Sequence, residues 1–178
     1  MAPLLAAFPD APISRAIVAA ADDTLTAIDY LKRNDRRLRL DMSRLGVVGS
    51  SAGAITANHV AYVLDDHGIR GRRIAFVGSL WGGILAAAPE GRGDVWAVQL
   101  ERGEPALFVV HGDADRTVPV RLSDDLFARV RTPGVTGEYH RIAGGGHGYA
   151  QSRFFMANVG RGQTPFDRLL RFAGAELR

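Results

Sequence analysis

Cysteine is absent from the 178 residues. That excludes disulfides, thiolate metal sites and a cysteine nucleophile. Lysine is nearly absent too: of 22 basic side chains, only Lys32 is a lysine and the other 21 are arginines. The arginines are scattered, and their densest clusters are the pairs Arg36-Arg37 and Arg72-Arg73. Few aromatic residues lie between them, and the net charge is only +3. A nucleic-acid surface needs a basic stripe with stacking side chains, so no nucleic-acid partner is expected despite a pI near 9.8. No apolar run reaches the ~18 residues of a membrane span, so no membrane partner is expected. The first residues, MAPLLAAFPDAP, carry neither a basic n-region nor an adequate apolar core for a signal peptide. A cytoplasmic protein is therefore expected, and a mature secreted form is also compatible. Internal repeats, low-complexity segments and linkers are absent, so residues 1–178 read as a single domain.

What is present is an alternation of short apolar strands and amphipathic helices. Ser14 to Asn34 reads as a helix, with Ile17, Ala21, Leu25, Ile28 and Leu31 at steps of three and four. A polar connection over Arg36 to Arg44 leads to a buried strand, Leu45 to Gly49. A helix follows from Ala52 to about Asp65, closed by Gly68. Ile74 to Val77 is the next strand, and Ile84 to Glu104 reads as a loop with one short helical turn. Ala106 to Val110 is the third strand, Arg121 to Val130 a helix, Glu138 to Ile142 the fourth strand, and Phe166 to Ala175 the last helix, with Pro165 in its first turn. Such alternation predicts an α/β domain of three layers, a mostly parallel sheet flanked by helices.

In parallel sheets, ligands gather at the carboxyl ends of the strands. Three strand ends here carry reactive side chains. Gly49-Ser50-Ser51-Ala52-Gly53 fits the G-x-S-x-G pattern between a strand and a helix, which makes Ser51 a candidate nucleophile. The competing reading is a serine that merely caps the helix. His111-Gly112-Asp113-Ala114-Asp115 offers two carboxylates able to orient a histidine, or two turn formers. His147 sits in a glycine loop after the fourth strand. Of the other histidines, His59 and His67 belong to the second helix and its turn, His140 lies within a strand, and His111 has a structural role at a strand end. Serine, then acid, then histidine is the chain order of α/β-hydrolases.

On LGVVGSSAGA, HGDADRTVP and GGGHGY the chain resembles the α/β-hydrolase superfamily, specifically the small esterases near dienelactone hydrolase and prolyl oligopeptidase. The resemblance runs from about Ala16 to the C-terminus. It implies that Asp115, rather than Asp113, is the acid, because the family pattern H-G-x-x-D-x-x-V-P falls there. It also implies that Ser51, Asp115 and His147 are catalytic, that the Ala52 N–H is an oxyanion donor, and that neither cofactor nor metal is required. Ser50 and Trp81 are the candidate substrate-binding residues, with core packing the equal alternative for a tryptophan at a strand end.

Family members carry further strands before the first helix seen here, including the loop with the second oxyanion donor. Nothing in Met1 to Ile13 matches them, so the resemblance implies a partial, N-terminally truncated α/β-hydrolase fold. A missing strand would leave Leu45–Gly49 as a bare edge, and a homodimer paired there is expected. Only 21 residues lie between Gly83 and Pro105, too few for a large cap. An open site acting on small, short-acyl esters is the resulting expectation. The alternatives are an inactive hydrolase remnant acting as a binding or structural subunit, and a small serine peptidase.

Overall fold

The computed structural model describes residues 12–64, 73–84, 102–131 and 134–178. Helix α1 spans Pro12–Arg33 and buries Ile17, Val18, Ala21 and Ile28 along one face. Lys32 and Arg33 lie in its last turn, where positive charge suits the helix dipole. The polar connection after it contains one short helix, α2 (Asp35–Leu38), which stops where Arg39 turns left-handed at φ 54°. A single turn of four residues has too little periodicity to read from sequence.

Strand β1 (Gly46–Ser50) leads into α3 (Ala52–Tyr62). Strands β2 (Phe76–Leu80) and β3 (Ala106–Gly112) follow, then α4 (Arg121–Arg131) and β4 (Gly137–Ile142). The chain closes with the short α5 (Gly148–Gln151) and with α6 (Pro165–Glu176). Thr164 and Asp167 form a reciprocal capping box at the start of α6. The expected strand at Ile74–Val77 is observed at Phe76–Leu80, because pairing with β1, not the apolar run alone, sets its limits, and the helix from Ala52 ends at Tyr62. The expected stop at Gly68 and most of the Ile84–Glu104 connection fall outside the described residues.

The four strands form one parallel sheet in the order β1-β2-β3-β4. Alternation along the strands divides the core. Val77, Leu107 and Val109 face α1, α3 and α4, and join Val18, Ala57, Val60, Leu126 and Val130. Phe76, Leu80, Phe108 and Val110 face the other way and pack against Leu169 and Phe172 of α6. The expected three layers are therefore present. Among the described residues, β1 pairs only with β2, and its Val48 is 49% exposed.

Strand β1 and α3 meet at very close range. A Cβ built on Gly49 would lie 2.2 Å from the Gly53 carbonyl oxygen, whereas one on Gly53 would meet nothing within 4 Å. Gly49→Ala is accordingly expected to cost about 1–3 kcal/mol through overpacking. Gly53→Ala is expected to be neutral or to stabilise by up to about 1 kcal/mol through helix propensity. Urea unfolding of both variants checks the contrast, and equal losses would contradict the packing described.

Candidate active site

The β1–α3 junction holds Ser51 at φ 53° and ψ −122°, a backbone conformation costly for a residue with a side chain. Neighbours fix it there. The Ser51 N–H donates to the Leu80 carbonyl at 2.9 Å, and the Ser51 carbonyl accepts from the N–H groups of Ala54 and Ile55. Ser51 occupies the N-cap position of α3, yet its side chain caps nothing. Its Oγ instead lies 2.9 Å from Nε2 of His147. The side chain has thus left the helix-start role that its sequence position offers.

His147 follows β4 on a loop that crosses the end of β3. That crossing is tight: a Cβ on Gly112 would lie 2.2 Å from the Gly145 carbonyl oxygen. The approach sets Nδ1 of His147 2.7 Å from Oδ2 of Asp115. His147 keeps 24% of its side-chain surface exposed, while the Asp115 side chain is fully buried. The other oxygen of Asp115, Oδ1, accepts from the N–H groups of Thr117 at 2.8 Å and Val118 at 2.9 Å. Burial alone would raise the Asp115 pKa. The hydrogen bonds from His147 and from the Val118 and Thr117 amides outweigh it and hold the carboxyl below its ordinary value. Asp113 is committed elsewhere, with Oδ1 accepting from the Gly144 N–H at 2.7 Å.

The structure therefore brings Ser51, Asp115 and His147 together at three strand ends. Ala52 is exposed at the first position of α3, where a backbone N–H has no acceptor within the helix. Ser50 ends β1, half-buried and in register with Leu80. Of the two readings open for Trp81, the structure shows the core one. It is 1% exposed, so its ring forms part of the core beneath the site and not an open wall for substrate. It meets His147 edge-on at 6.5 Å, Tyr149 at 4.7 Å and Phe154 at 5.9 Å between ring centroids. Tyr149 is 47% exposed and went unnoticed in the sequence, where its place two residues after His147 is the one available signal. His111 also belongs to the neighbourhood, with Nε2 3.2 Å from Oδ2 of Asp115. No group of three or more His, Asp or Glu side chains among the described residues is arranged to hold a metal ion. No helix among them is long and apolar enough to cross a membrane.

A family model for the alpha/beta hydrolase fold matches residues 7–90. A truncated carbohydrate esterase from gut microbiota superposes on 88% of this chain and 67% of its own, with a TM-score of 0.65 and 20% identity. The chain has the α/β-hydrolase fold. An alpha/beta hydrolase enzyme from a Medee basin deep-sea metagenome library gives a TM-score of 0.68 at 22% identity, covering 88% of this chain and 64% of that one. A thermophilic esterase from the Planctomycetes species Thermogutta terrifontis gives 0.63 at 20% identity, with coverages of 87% and 61%. No curated protein matches by sequence. The chain thus spans about two thirds of the length of these α/β-hydrolase structures. The dienelactone hydrolase branch is not singled out among them.

Behind Ser51, His59 of α3 is 2% exposed, with Nδ1 2.7 Å from the Ile55 carbonyl. Burial, only partly opposed by that hydrogen bond, pushes its pKa down to about 4 from 6.5. Above pH 6.5 the ring is neutral in folded and unfolded chains and contributes no pH dependence. Between pH 6.5 and about 4 the unfolded chain takes up a proton that the folded one does not. Stability should fall toward acid across that window, by at most about 1.4 kcal/mol per pH unit. Urea unfolding at pH 7, 5.5 and 4.5 should show a shallower dependence in His59→Asn than in the parent chain.

Proposed function

We propose that the chain is a serine hydrolase that cleaves small, short-acyl carboxylic esters. One observation carries the reading: the Ser51 hydroxyl, at the N-cap of α3, turns away from the helix to meet Nε2 of His147. A serine that only started a helix would cap it. The hydroxyl attacks the acyl carbon as Nε2 takes its proton, and a tetrahedral oxyanion forms. The Ala52 N–H and the positive end of α3 stabilise that charge. The proton on His147 passes to the alkoxide leaving group, the C–O ester bond breaks and an acyl-Ser51 ester remains. Water, deprotonated by His147, hydrolyses that ester and restores the hydroxyl. Asp115 accepts from Nδ1–H throughout, which keeps Nε2 directed at Ser51 and favours the imidazolium. The carbohydrate esterase and thermophilic esterase named above give ester hydrolysis independent support at the level of fold.

The same reading includes pairing of two chains along β1. Among the described residues, β1 has no strand on its outer edge, where Val48 is 49% exposed. An antiparallel pairing centred on Val48 would place that residue against its own copy and relate the two chains by a two-fold axis.

Two outcomes test these statements. The purified chain should hydrolyse p-nitrophenyl acetate, with Ser51→Ala and His147→Ala at least about 10³-fold slower and Asp115→Asn slowed by a similar order. Equal rates in the parent and Ser51→Ala would contradict the assignment and favour an inactive hydrolase remnant. Sedimentation at micromolar concentration should give a dimer that Val48→Lys converts to monomer, and a monomeric parent chain would contradict the edge pairing.

A further inference from the structure

His111 is fully buried between the end of β3 and the first turn of α4. Its ring nitrogens have unlike surroundings. Nε2 faces two acceptors, the Val118 carbonyl at 3.0 Å and Oδ2 of Asp115 at 3.2 Å. Nδ1 faces the Ser123 hydroxyl at 2.7 Å, and Ser123 is itself fully buried. Ser123 Oγ also lies 3.0 Å from the Gly82 carbonyl. One hydroxyl proton serves one of those two acceptors at a time.

The proton positions follow from that inventory. Two acceptors on Nε2 require a proton there. If the Ser123 proton pointed to Gly82, Nδ1 would need a second ring proton and His111 would be a buried cation. Burial pushes the His111 pKa down, against the favourable field of Asp115 and the Val118 hydrogen bond. The consistent state is a neutral ring with its proton on Nε2 and the Ser123 O–H donating to Nδ1.

We propose that His111 is a positioning residue for the acid–base pair. Its Nε2–H, which donates to the Val118 carbonyl at 3.0 Å, also lies 3.2 Å from Oδ2 of Asp115, and this shared contact, held from behind by Ser123, steadies the carboxylate so that the same oxygen faces His147. Oδ2 then takes His147 at 2.7 Å and the shared His111 contact at 3.2 Å, while Oδ1 takes the Thr117 and Val118 amides. Three donors and the shared His111 contact favour the observed rotamer of the buried carboxylate. The role as stated rests on the ester-hydrolase reading for its catalytic consequence, though the hydrogen bond itself does not.

The ionisable groups around the carboxylate are limited in number. His111 and His147 face it. Asp113 and Arg116 share its turn, with Asp113 directed to the Gly144 N–H, and Arg141 of β4 lies 4.0 Å from Asp113. Tyr149 of α5 stands behind Trp81. Loss of the His111 donor is therefore read most directly at Asp115.

Two measurements decide the proposal without enzymatic activity. In the parent chain, long-range ¹H–¹⁵N spectra of the imidazoles should show His111 as the neutral Nε2–H tautomer at pH 7. A proton on Nδ1 alone, or an imidazolium, would overturn it. In His111→Leu, ¹³C titration should find the Asp115 carboxyl ionising about half a unit or more higher than in the parent, because a donor to the charged form is lost. In His111→Gln, whose amide N–H reaches the same place, that rise should be largely reversed. Identical titration in all three chains would reduce His111 to packing. Hydrolysis adds a third reading: kcat of His111→Leu should fall roughly tenfold with KM unchanged, as for loss of a hydrogen bond to a charged group. An inactive parent chain would defeat the ester-hydrolase reading alone, since the tautomer and the titration still decide the role of His111.

Discussion

Strand β1 and helix α3 approach so closely that only hydrogen fits on Gly49 opposite the Gly53 carbonyl. Much of the site depends on that contact. The chain must reverse from strand to helix within one residue, and Ser51 takes the strained positive-φ backbone conformation of that reversal. In that conformation the Ser51 side chain makes no capping bond to the first turn of the helix. The Ser51 hydroxyl therefore projects over the carboxyl end of the sheet, toward the loop that carries His147. A second glycine contact, Gly112 against Gly145, does the same for the other two partners by letting that loop cross the end of β3. The geometry of the three side chains is set by backbone approach more than by attraction between them.

Much of this arrangement was legible in the sequence, because it follows from local patterns. Apolar runs at strand length, helices at a period near 3.6 and glycines at the strand ends specify a parallel sheet whose reactive residues share one side. The choice between Asp113 and Asp115 was not legible from residue chemistry alone, since both lie in the same turn. Resemblance favoured Asp115, and in the fold it is Asp115 that meets His147 while Asp113 binds the Gly144 amide. For Trp81 the sequence left pocket lining and core packing open, because it shows a large side chain at a strand end but not what stacks on it. Tyr149 and Phe154 arrive from 68 and 73 residues later and cover the ring. The contact between His111 and Ser123 was hidden for a similar reason: it depends on how the first turn of α4 packs against the end of β3.

The sheet is asymmetric in a way that bears on assembly. One face carries α1, α3 and α4, the other α6 and, beside Trp81, the single turn of α5 among the described helices. A helix is about 10 Å across and strands lie about 4.8 Å apart, so one helix covers roughly two strands of four. Val48 on β1 and Phe166 and Leu170 on α6 remain exposed on that face, at 49%, 37% and 56%. The related α/β-hydrolase structures are longer by about a third.

The central claim is that Ser51 is a nucleophile activated by His147, and its most direct test is covalent. Incubation with a fluorophosphonate, followed by intact-mass and peptide analysis, should give a single adduct on the peptide that contains Ser51. His147→Ala should slow that adduct by orders of magnitude, and Ser51→Ala should abolish it. A chain that stays unlabelled, or that labels equally when His147 is removed, would contradict the account. The hydrogen bond between Ser51 and His147 would then be a feature of packing without chemistry.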